Sequence, residues 1–260
     1  MKEDLLTGFL KEINRFYLLF SGGFDSSAIL GCAHKANVKV MPVWIDNGFN
    51  RAKEQAIRQQ AANLGCANLK VIRVVPSGLV LNNPVNRCFY CKGELAAPVT
   101  NLGDAPVFDG TNASDKHSYR PGLKALRMLG VRSPLEELGI TREEAAAIAV
   151  SLGADPALAN LEGCLATRFN YDVPITNEKI VWICKIEEAI IDQTGDFHVR
   201  CRLDDLHHLR IECRQEATFA LLAEPGFRSK IVEMGRKVAT FVTLDLEEAR
   251  KNMFDKIRNL

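Results

Sequence analysis

The chain carries almost no net charge: 33 lysines and arginines stand against 32 aspartates and glutamates, a formal balance of +1. This removes any bulk electrostatic case for nucleic acid or an acidic membrane surface as partner, leaving only a local basic groove. Long apolar runs are missing too, and no stretch approaches the ~18 residues of a membrane-spanning helix. The opening segment, MKEDLLTGFLKEINRFYLLF, is interrupted by acidic residues and has no small-residue cleavage site after an apolar core. No secretory signal is read there, and the expectation is a cytoplasmic protein without membrane contacts. Repeats of fixed period and low-complexity tracts are absent as well.

What remains is the profile of an ordinary globular protein, 260 residues with 47% hydrophobic and 25% charged side chains. That length allows one large domain, or one domain with a small appendage. A core of this size is stable without disulfides. In a reducing compartment the eight cysteines read as thiols or metal ligands rather than a disulfide framework.

The first part of the chain alternates two periodicities. FYLLF (16–20), VKVMPVWID (38–46), LKVIRVV (69–75) and APVFDGT (105–111) read as buried strands, with helical patterns over 26–36 and 50–65 between them. Such alternation predicts βαβ units in a parallel sheet, whose ligands bind outside the carboxyl ends of the strands. Past about residue 134 the texture changes. A helix opens on a capping box, Thr141 with Glu144, and another covers 177–193. FHVRCRL, LRIEC and VATFVTLDL then read as short strands. The expected division is therefore an α/β parallel-sheet domain over 1–135 and a smaller α+β domain over 136–260, serving substrate binding or oligomerisation.

Between the first strand and the first of these helices stands SGGFDSS. Gly22 and Gly23 let backbone turn tightly and approach a ligand with no side chain in the way. Amides at the following helix start, with the hydroxyls of Ser21, Ser26 and Ser27, form a set of donors for phosphate oxygens. The lysine of a Walker A loop is missing, so this is a different phosphate loop. The alternative is a serine-rich turn with a capped helix. SGGFDSS resembles the PP-loop of the ATP pyrophosphatase superfamily, which cleaves ATP between its α- and β-phosphates. The resemblance implies an adenine nucleotide alpha hydrolase-like fold, ATP with Mg2+ as cofactors, and Asp25 near the magnesium or the pyrophosphate. It also implies that WIDNG (44–48) lies near the adenosine, so Trp44 is either a nucleotide contact or a core residue.

An activated substrate needs a nucleophile, and nothing here resembles a glutaminase that would supply ammonia. Sulfur suits Cys88 and Cys91 in NRCFYCK, joined by Cys164 in EGCLATRF. By itself a Cys-x-x-Cys pair is compatible with half a zinc site, a redox dithiol or part of an iron–sulfur site. NPVNRCFYCK, DGTNASDKHSYRPGLKALRMLGVRSPL and GCLATRFNYDVPIT together resemble the LarE family of ATP-dependent sulfur transferases. The likeness covers roughly residues 16–245, and its linked motifs are more specific than the phosphate loop alone.

That resemblance implies adenylylation of a carboxylate on a pyridinium-3,5-biscarboxylic acid mononucleotide and its replacement by sulfur, in nickel-pincer cofactor biosynthesis. It makes Cys164 the key sulfur position. One branch of the family sacrifices this cysteine's own sulfur; the other uses it with a Cys-x-x-Cys pair to hold a 4Fe–4S cluster. Having the pair, this chain resembles the second branch. A closed zinc site normally takes four protein ligands, whereas three thiolates on a cubane leave one iron open. Zinc completed by a further ligand, and a regulatory disulfide, are the alternatives. Arg168 falls beside the sulfur-delivery point, and Arg200 and Arg202 alternate on one strand face where the family binds substrate phosphate. A plain sheet surface is the other reading for that pair. Glu187 and Glu212 match family acidic positions, against a solvated helix face and strand surface. Buried small-hydrophobe roles are expected for Cys32, Cys184, Cys201 and Cys213.

The chain departs from the pattern at Thr167, usually serine, at Lys116, often aspartate, and in its C-terminal DLEEARKNMFDKIRNL. Expected partners are a small nucleotide substrate, a sulfide donor and further copies of the chain in a homo-oligomer. A cluster-dependent tRNA thiolase is the nearest rival, but such enzymes carry added RNA-binding or zinc modules and a more basic surface. A non-catalytic nucleotide- or metal-responsive protein is the third reading.

Overall fold

A computed structural model of the chain describes residues 2–117, 119–161, 163–250 and 253–258. The elements begin α1 (Lys2–Lys11), β1 (Arg15–Leu19), α2 (Phe24–Lys35), β2 (Lys39–Asp46), α3 (Glu54–Asn63), β3 (Lys70–Arg73), α4 (Gly78–Leu81) and α5 (Arg87–Thr100). There follow β4 (Val107–Phe108), α6 (Pro121–Met128), α7 (Pro134–Glu137), α8 (Arg142–Ser151), α9 (Pro156–Ala159) and α10 (Asn177–Thr194). The chain ends with β5 (Arg200–Leu203), β6 (His208–Glu212), α11 (Glu216–Ala223), α12 (Pro225–Gly235), β7 (Phe241–Leu244) and α13 (Met253–Ile257).

Two compact units divide these elements. The first runs to Pro76 and resumes over Cys88–Gly163; the second takes Ser77–Arg87 and the chain from Cys164 onward. Position 135, where the sequence texture changes, thus lies inside the first unit. Residues 136–163 stay there because Ala145, Ile148 and Ala149 of α8 join the same core as Leu6 and Leu10 of α1 and Ile29 and Leu30 of α2.

In the first unit the sheet is all-parallel, in the order β3-β2-β1-β4. Phe16 sits opposite Val40 and Leu19 opposite Val43, while Tyr17 faces Val107 on the other side. Alternation along the strands feeds two cores. Phe16, Leu18, Phe108 and Trp44 enter the core with α1, α2 and α8. Val43 and Val107 enter a second one with Ala96 and Val99 of α5 and Leu126 of α6. A strand covered on both faces must be apolar at nearly every position, which is why these strands read as continuous runs. Each large side chain buried this way contributes about 1.5–3 kcal/mol.

The second unit is built around α10, whose buried Ile180, Ile183, Ile186 and Ile190 recur at helical spacing. It starts at Thr176, whose hydroxyl accepts the Lys179 N–H, and stops at Gly195 with φ +69°. A three-stranded sheet accompanies it, β5 antiparallel to β6 and β7 parallel to β6. The 77–87 segment belongs to this unit because the buried amide of Asn83 donates to the carbonyls of Asn170 (2.7 Å) and Val173 (3.0 Å). Among the described residues no helix is long and apolar enough to cross a membrane.

Candidate functional site

In the first unit, β1 delivers the chain to Ser21 at the carboxyl edge of the sheet. Gly22 takes φ +80°, a backbone state that costs a side-chain-bearing residue ~1–2 kcal/mol. A Cβ there would stand 2.6 Å from Ile57 Cδ1 of α3. Gly23, at φ −73° and ψ 169°, is the N-cap of α2 and has no side chain to occupy the helix's first amides. The serines fix the loop instead. Ser21 Oγ lies 3.1 Å from Ser26 Oγ and accepts the Gly23 N–H at 3.3 Å. Ser26 and Ser27 donate back to the carbonyls of Gly23 (3.2 Å) and Gly22 (3.4 Å).

The strand order reverses direction at β1 and β4, and ligands of open α/β sheets bind in the crevice at that point. The segment after β4 reaches the SGGFDSS loop there: Asn112 Nδ2 donates to Asp25 Oδ2 at 3.0 Å. Gly110 passes so close that a Cβ on it would meet the Ser26 nitrogen at 3.0 Å. Asp109 accepts hydroxyl bonds from Thr111 (2.5 Å) and Ser133 (2.6 Å), which pins the segment. On the α3 side, Gln60 donates to the Gly22 carbonyl at 3.3 Å and exchanges bonds with the Asp155 backbone. Gln60 is fully buried, yet nothing in the sequence distinguishes it from a solvated glutamine on an amphipathic helix.

Trp44 is only 4% exposed and packs in the sheet core. What β2 offers at its carboxyl end is the next stretch, Asp46, Asn47 and Gly48. The side-chain oxygens of Asp46 and Asn47 accept the Gly48 and Phe49 N–H groups, at 3.1 Å each. The Asn47 Nδ2 in turn donates to Cys91 Sγ at 3.6 Å. Further along the same β2–α3 loop, the Arg51 N–H donates to the Gly163 carbonyl at 3.2 Å. Cys88 and Cys91 are both half-buried and lie in the first turns of α5. At i and i+3 they share one helical face, which fits two adjacent thiolate ligands of a single metal group.

Cys164 belongs to the second unit and is exposed. It caps a single 3-10 turn, Leu165–Arg168, of which Leu165, Ala166 and Arg168 are buried. The Cys164 carbonyl accepts the Thr167 N–H (3.0 Å) and hydroxyl (2.7 Å). Three arginines secure the turn from beneath. Arg168 forms a bidentate pair with Glu187 at 2.7 and 3.0 Å, with the two side chains 3% and 0% exposed. Burial works against the Arg168 charge, but the Glu187 carboxylate more than offsets this and holds its pKa above the ordinary value. Arg202 donates to the Thr167 carbonyl (3.0 Å), and its Nε meets Glu212 at 2.9 Å. Arg87 donates to the Ala166 carbonyl at 3.0 Å and to Asn83.

Glu187 and Glu212 are therefore fully buried partners of arginine, not members of solvated faces. Glu187 also accepts the Cys201 N–H, and Glu212 is bracketed by Arg202 and Arg210. Arg200 is less buried and turns one nitrogen onto the carbonyls of Phe197 and Val199. Asp115 is occupied by Arg120 and Arg142. Of the remaining cysteines, Cys32, Cys184, Cys201 and Cys213 are buried, and no disulfide joins any of the eight. Burial pushes the Cys32 thiol up to about 11 and Cys213 up to about 12. Among the described residues no group of three or more His, Cys, Asp or Glu side chains is gathered for a metal ion. The donors seen here fit a pair of thiolate ligands in the first unit and one exposed thiol in the second.

No family model matches the chain. It is 30% identical to an uncharacterized protein of Synechocystis sp., over 98% of this chain and 97% of that one. It is 28% identical to the pyridinium-3,5-bisthiocarboxylic acid mononucleotide synthase of Lactiplantibacillus plantarum, over 73% of this chain and 71% of the synthase. An uncharacterized protein of Methanocaldococcus jannaschii matches at 26% over 68% of this chain and 69% of its own length. Matched nearly end to end by one relative, and over most of its length by the named synthase, the chain belongs to the LarE family.

Proposed function

We propose that the protein is an ATP-dependent sulfur transferase of nickel-pincer cofactor biosynthesis. Its substrate is a pyridinium biscarboxylate mononucleotide, one carboxylate of which it converts to a thiocarboxylate. The observation that carries this reading is the β2–α3 loop. That loop touches Cys91 through Asn47 and holds, through Arg51, the residue preceding Cys164. It leaves the same carboxyl sheet edge as SGGFDSS, which supports a reading in which the loop and the Cys-x-x-Cys pair of the first unit serve one reaction. The synthase relative supports the choice of acceptor.

In the first half-reaction a substrate carboxylate oxygen attacks the α-phosphorus of ATP, and the bond to pyrophosphate breaks. The serine hydroxyls and the open amides of α2 are the donors for phosphate oxygens, and Asp25, which accepts a hydrogen bond from Asn112, would hold Mg2+. In the second, hydrosulfide attacks the acyl carbon and AMP leaves with the former carboxylate oxygen, releasing one proton. A 4Fe–4S cluster on Cys88, Cys91 and Cys164 would supply, when bound, an iron without a protein ligand as carrier of the sulfide. The turn under Cys164 keeps that thiol fixed and turned outward, which lowers the cost of orienting it for reaction. Arg200, the least buried of the implied phosphate arginines, is assigned to the substrate phosphate. Arg168 and Arg202 are assigned to holding the Cys164 turn.

The test is pyrophosphate release by anaerobically purified protein with ATP and Mg2+. Release that depends on the biscarboxylate mononucleotide is expected. Absence of release with that compound, or release only with tRNA, would contradict the assignment.

A further inference from the structure

We propose that Gln60 is a positioning residue for the ATP phosphates: from α3 its buried amide fixes the peptide unit between Gly22 and Gly23 and so sets the direction of the Gly23 N–H. The inference rests on the proposed function, because it takes SGGFDSS as the site of those phosphates. Gln60 is 0% exposed, and an amide buried this deeply must find partners within the protein. Its three partners are backbone groups. Nε2 carries two hydrogens and donates to the Gly22 carbonyl at 3.3 Å and to the Asp155 carbonyl at 3.2 Å. Oε1 accepts the Asp155 N–H at 2.9 Å. This set of partners assigns the amide's orientation, since the reverse would press its oxygen against two carbonyls.

Both ends of this bridge are held in turn. Asp155 caps α9 through its carboxylate, which accepts the Ala157 N–H at 2.8 Å. Gly153, two residues earlier, passes α3 so closely that a Cβ on it would stand 3.0 Å from the Asn63 carbonyl oxygen. At the other end, the Gly22 carbonyl also accepts the Ser27 hydroxyl at 3.4 Å. The Gly22–Gly23 peptide unit is trans and planar, so its C=O and N–H point in opposite directions. With glycine on both sides no side chain steadies the unit, and its direction depends on what the carbonyl meets. Gln60 draws that carbonyl toward α3, which turns the Gly23 N–H the other way, where it meets Ser21 Oγ at 3.3 Å. A donor aimed before the ligand arrives needs no reorientation when phosphate binds.

Gln60→Met keeps the length of the side chain and loses all three bonds. Binding is measured with two probes, ATP with Mg2+ by calorimetry and adenosine, which has no phosphate, by ligand-observed NMR. ATP should bind about tenfold more weakly than to the parent, the effect of about one hydrogen bond, while adenosine binds as before. Gln60→Asn keeps an amide one methylene too short to bridge both backbones; it should weaken ATP about threefold, and it decides the question if the methionine variant does not fold. Thr141→Ala, which removes the capping box of α8 in the same unit, is the stability control: its melting temperature should fall while ATP affinity stays at the parent value. If the parent binds ATP no better than adenosine, SGGFDSS is not a phosphate site, and the proposed function fails together with the inference. If the parent does prefer ATP, the inference alone is overturned by any of three results: parent affinity in both Gln60 variants, an equal loss of adenosine binding, or an equal loss in Thr141→Ala.

Discussion

Arg168→Ala removes one half of the most deeply buried ion pair in the second unit. Glu187, 0% exposed, would lose both contacts from the guanidinium, while the Cys201 N–H at 2.9 Å stays. A carboxylate left buried without its partner costs about 3–5 kcal/mol. For a chain of this size each kcal/mol moves the melting temperature by about 2–4 °C, so a fall of about 10 °C is expected. Removing Glu187 as well, in Arg168→Met/Glu187→Leu, eliminates the stranded charge and should recover much of the loss, as buried pairs replaced by apolar side chains often do. Denaturant unfolding of the parent, Arg168→Met, Glu187→Leu and the double variant gives the coupling energy directly. The functional consequence is separable. Arg168 also donates to the Thr167 hydroxyl at 2.9 Å, so Arg168→Ala loosens the turn presenting Cys164. Sulfur transfer should fall while substrate-dependent pyrophosphate release persists. A variant that unfolds like the parent and shows no coupling with Glu187 would refute the reasoning.

Gly22→Ala forces a side chain into φ +80° with its Cβ 2.6 Å from Ile57; it should cost ~1–2 kcal/mol from backbone strain alone and weaken ATP binding, measured by calorimetry. Asp196 is buried, which alone would raise its pKa, but the N–H groups of Arg214, Gln215 and His198 and the Thr218 hydroxyl hold it below the ordinary carboxylate value. Its contribution to stability is therefore present above the unfolded value of about 3.9 and is lost as pH falls through the lower folded value; Asp196→Asn should flatten the acid limb of a stability–pH curve. Alkylation at neutral pH should reach exposed Cys164 well before Cys32 and Cys213, whose buried thiols are pushed up to about 11 and about 12; peptide mapping that finds those two modified first would contradict their burial.

Much of the fold is legible because its signals are local. The apolar runs of β1 and β2 announce strands of a parallel sheet, and both lie inside the all-parallel order β3-β2-β1-β4, with β3 at the edge. Thr141 and Glu144 form the reciprocal capping box their spacing announces, at 3.3 and 2.8 Å. The SGGFDSS turn between β1 and α2 is legible for the same reason, since strand, glycines and helix are contiguous. Long-range partners are not. Strand alternation puts Arg200 and Arg202 on one face, but the depth of Arg202 depends on Glu212 across the sheet and on Thr167. Periodicity cannot tell that Glu187 lies at the interior of α10, because the charge that permits its burial is Arg168, in a distant turn. Nor does any local pattern assign residues 77–87 to the second unit. That assignment comes from Asn83, whose amide satisfies carbonyls of 170 and 173. Trp44 shows the converse limit, since a motif position near a ligand edge says nothing about which face of the strand a side chain takes.

The central claim is that this chain transfers sulfur from an external donor to an ATP-activated carboxylate without consuming itself. It is tested most directly by supplying isotope-labelled hydrosulfide to anaerobic, reconstituted protein with ATP, Mg2+ and the biscarboxylate mononucleotide, then weighing product and protein by mass spectrometry. The account predicts labelled thiocarboxylate over many turnovers and an unchanged Cys164. Unlabelled product in a single turnover, with Cys164 converted to dehydroalanine, would contradict it.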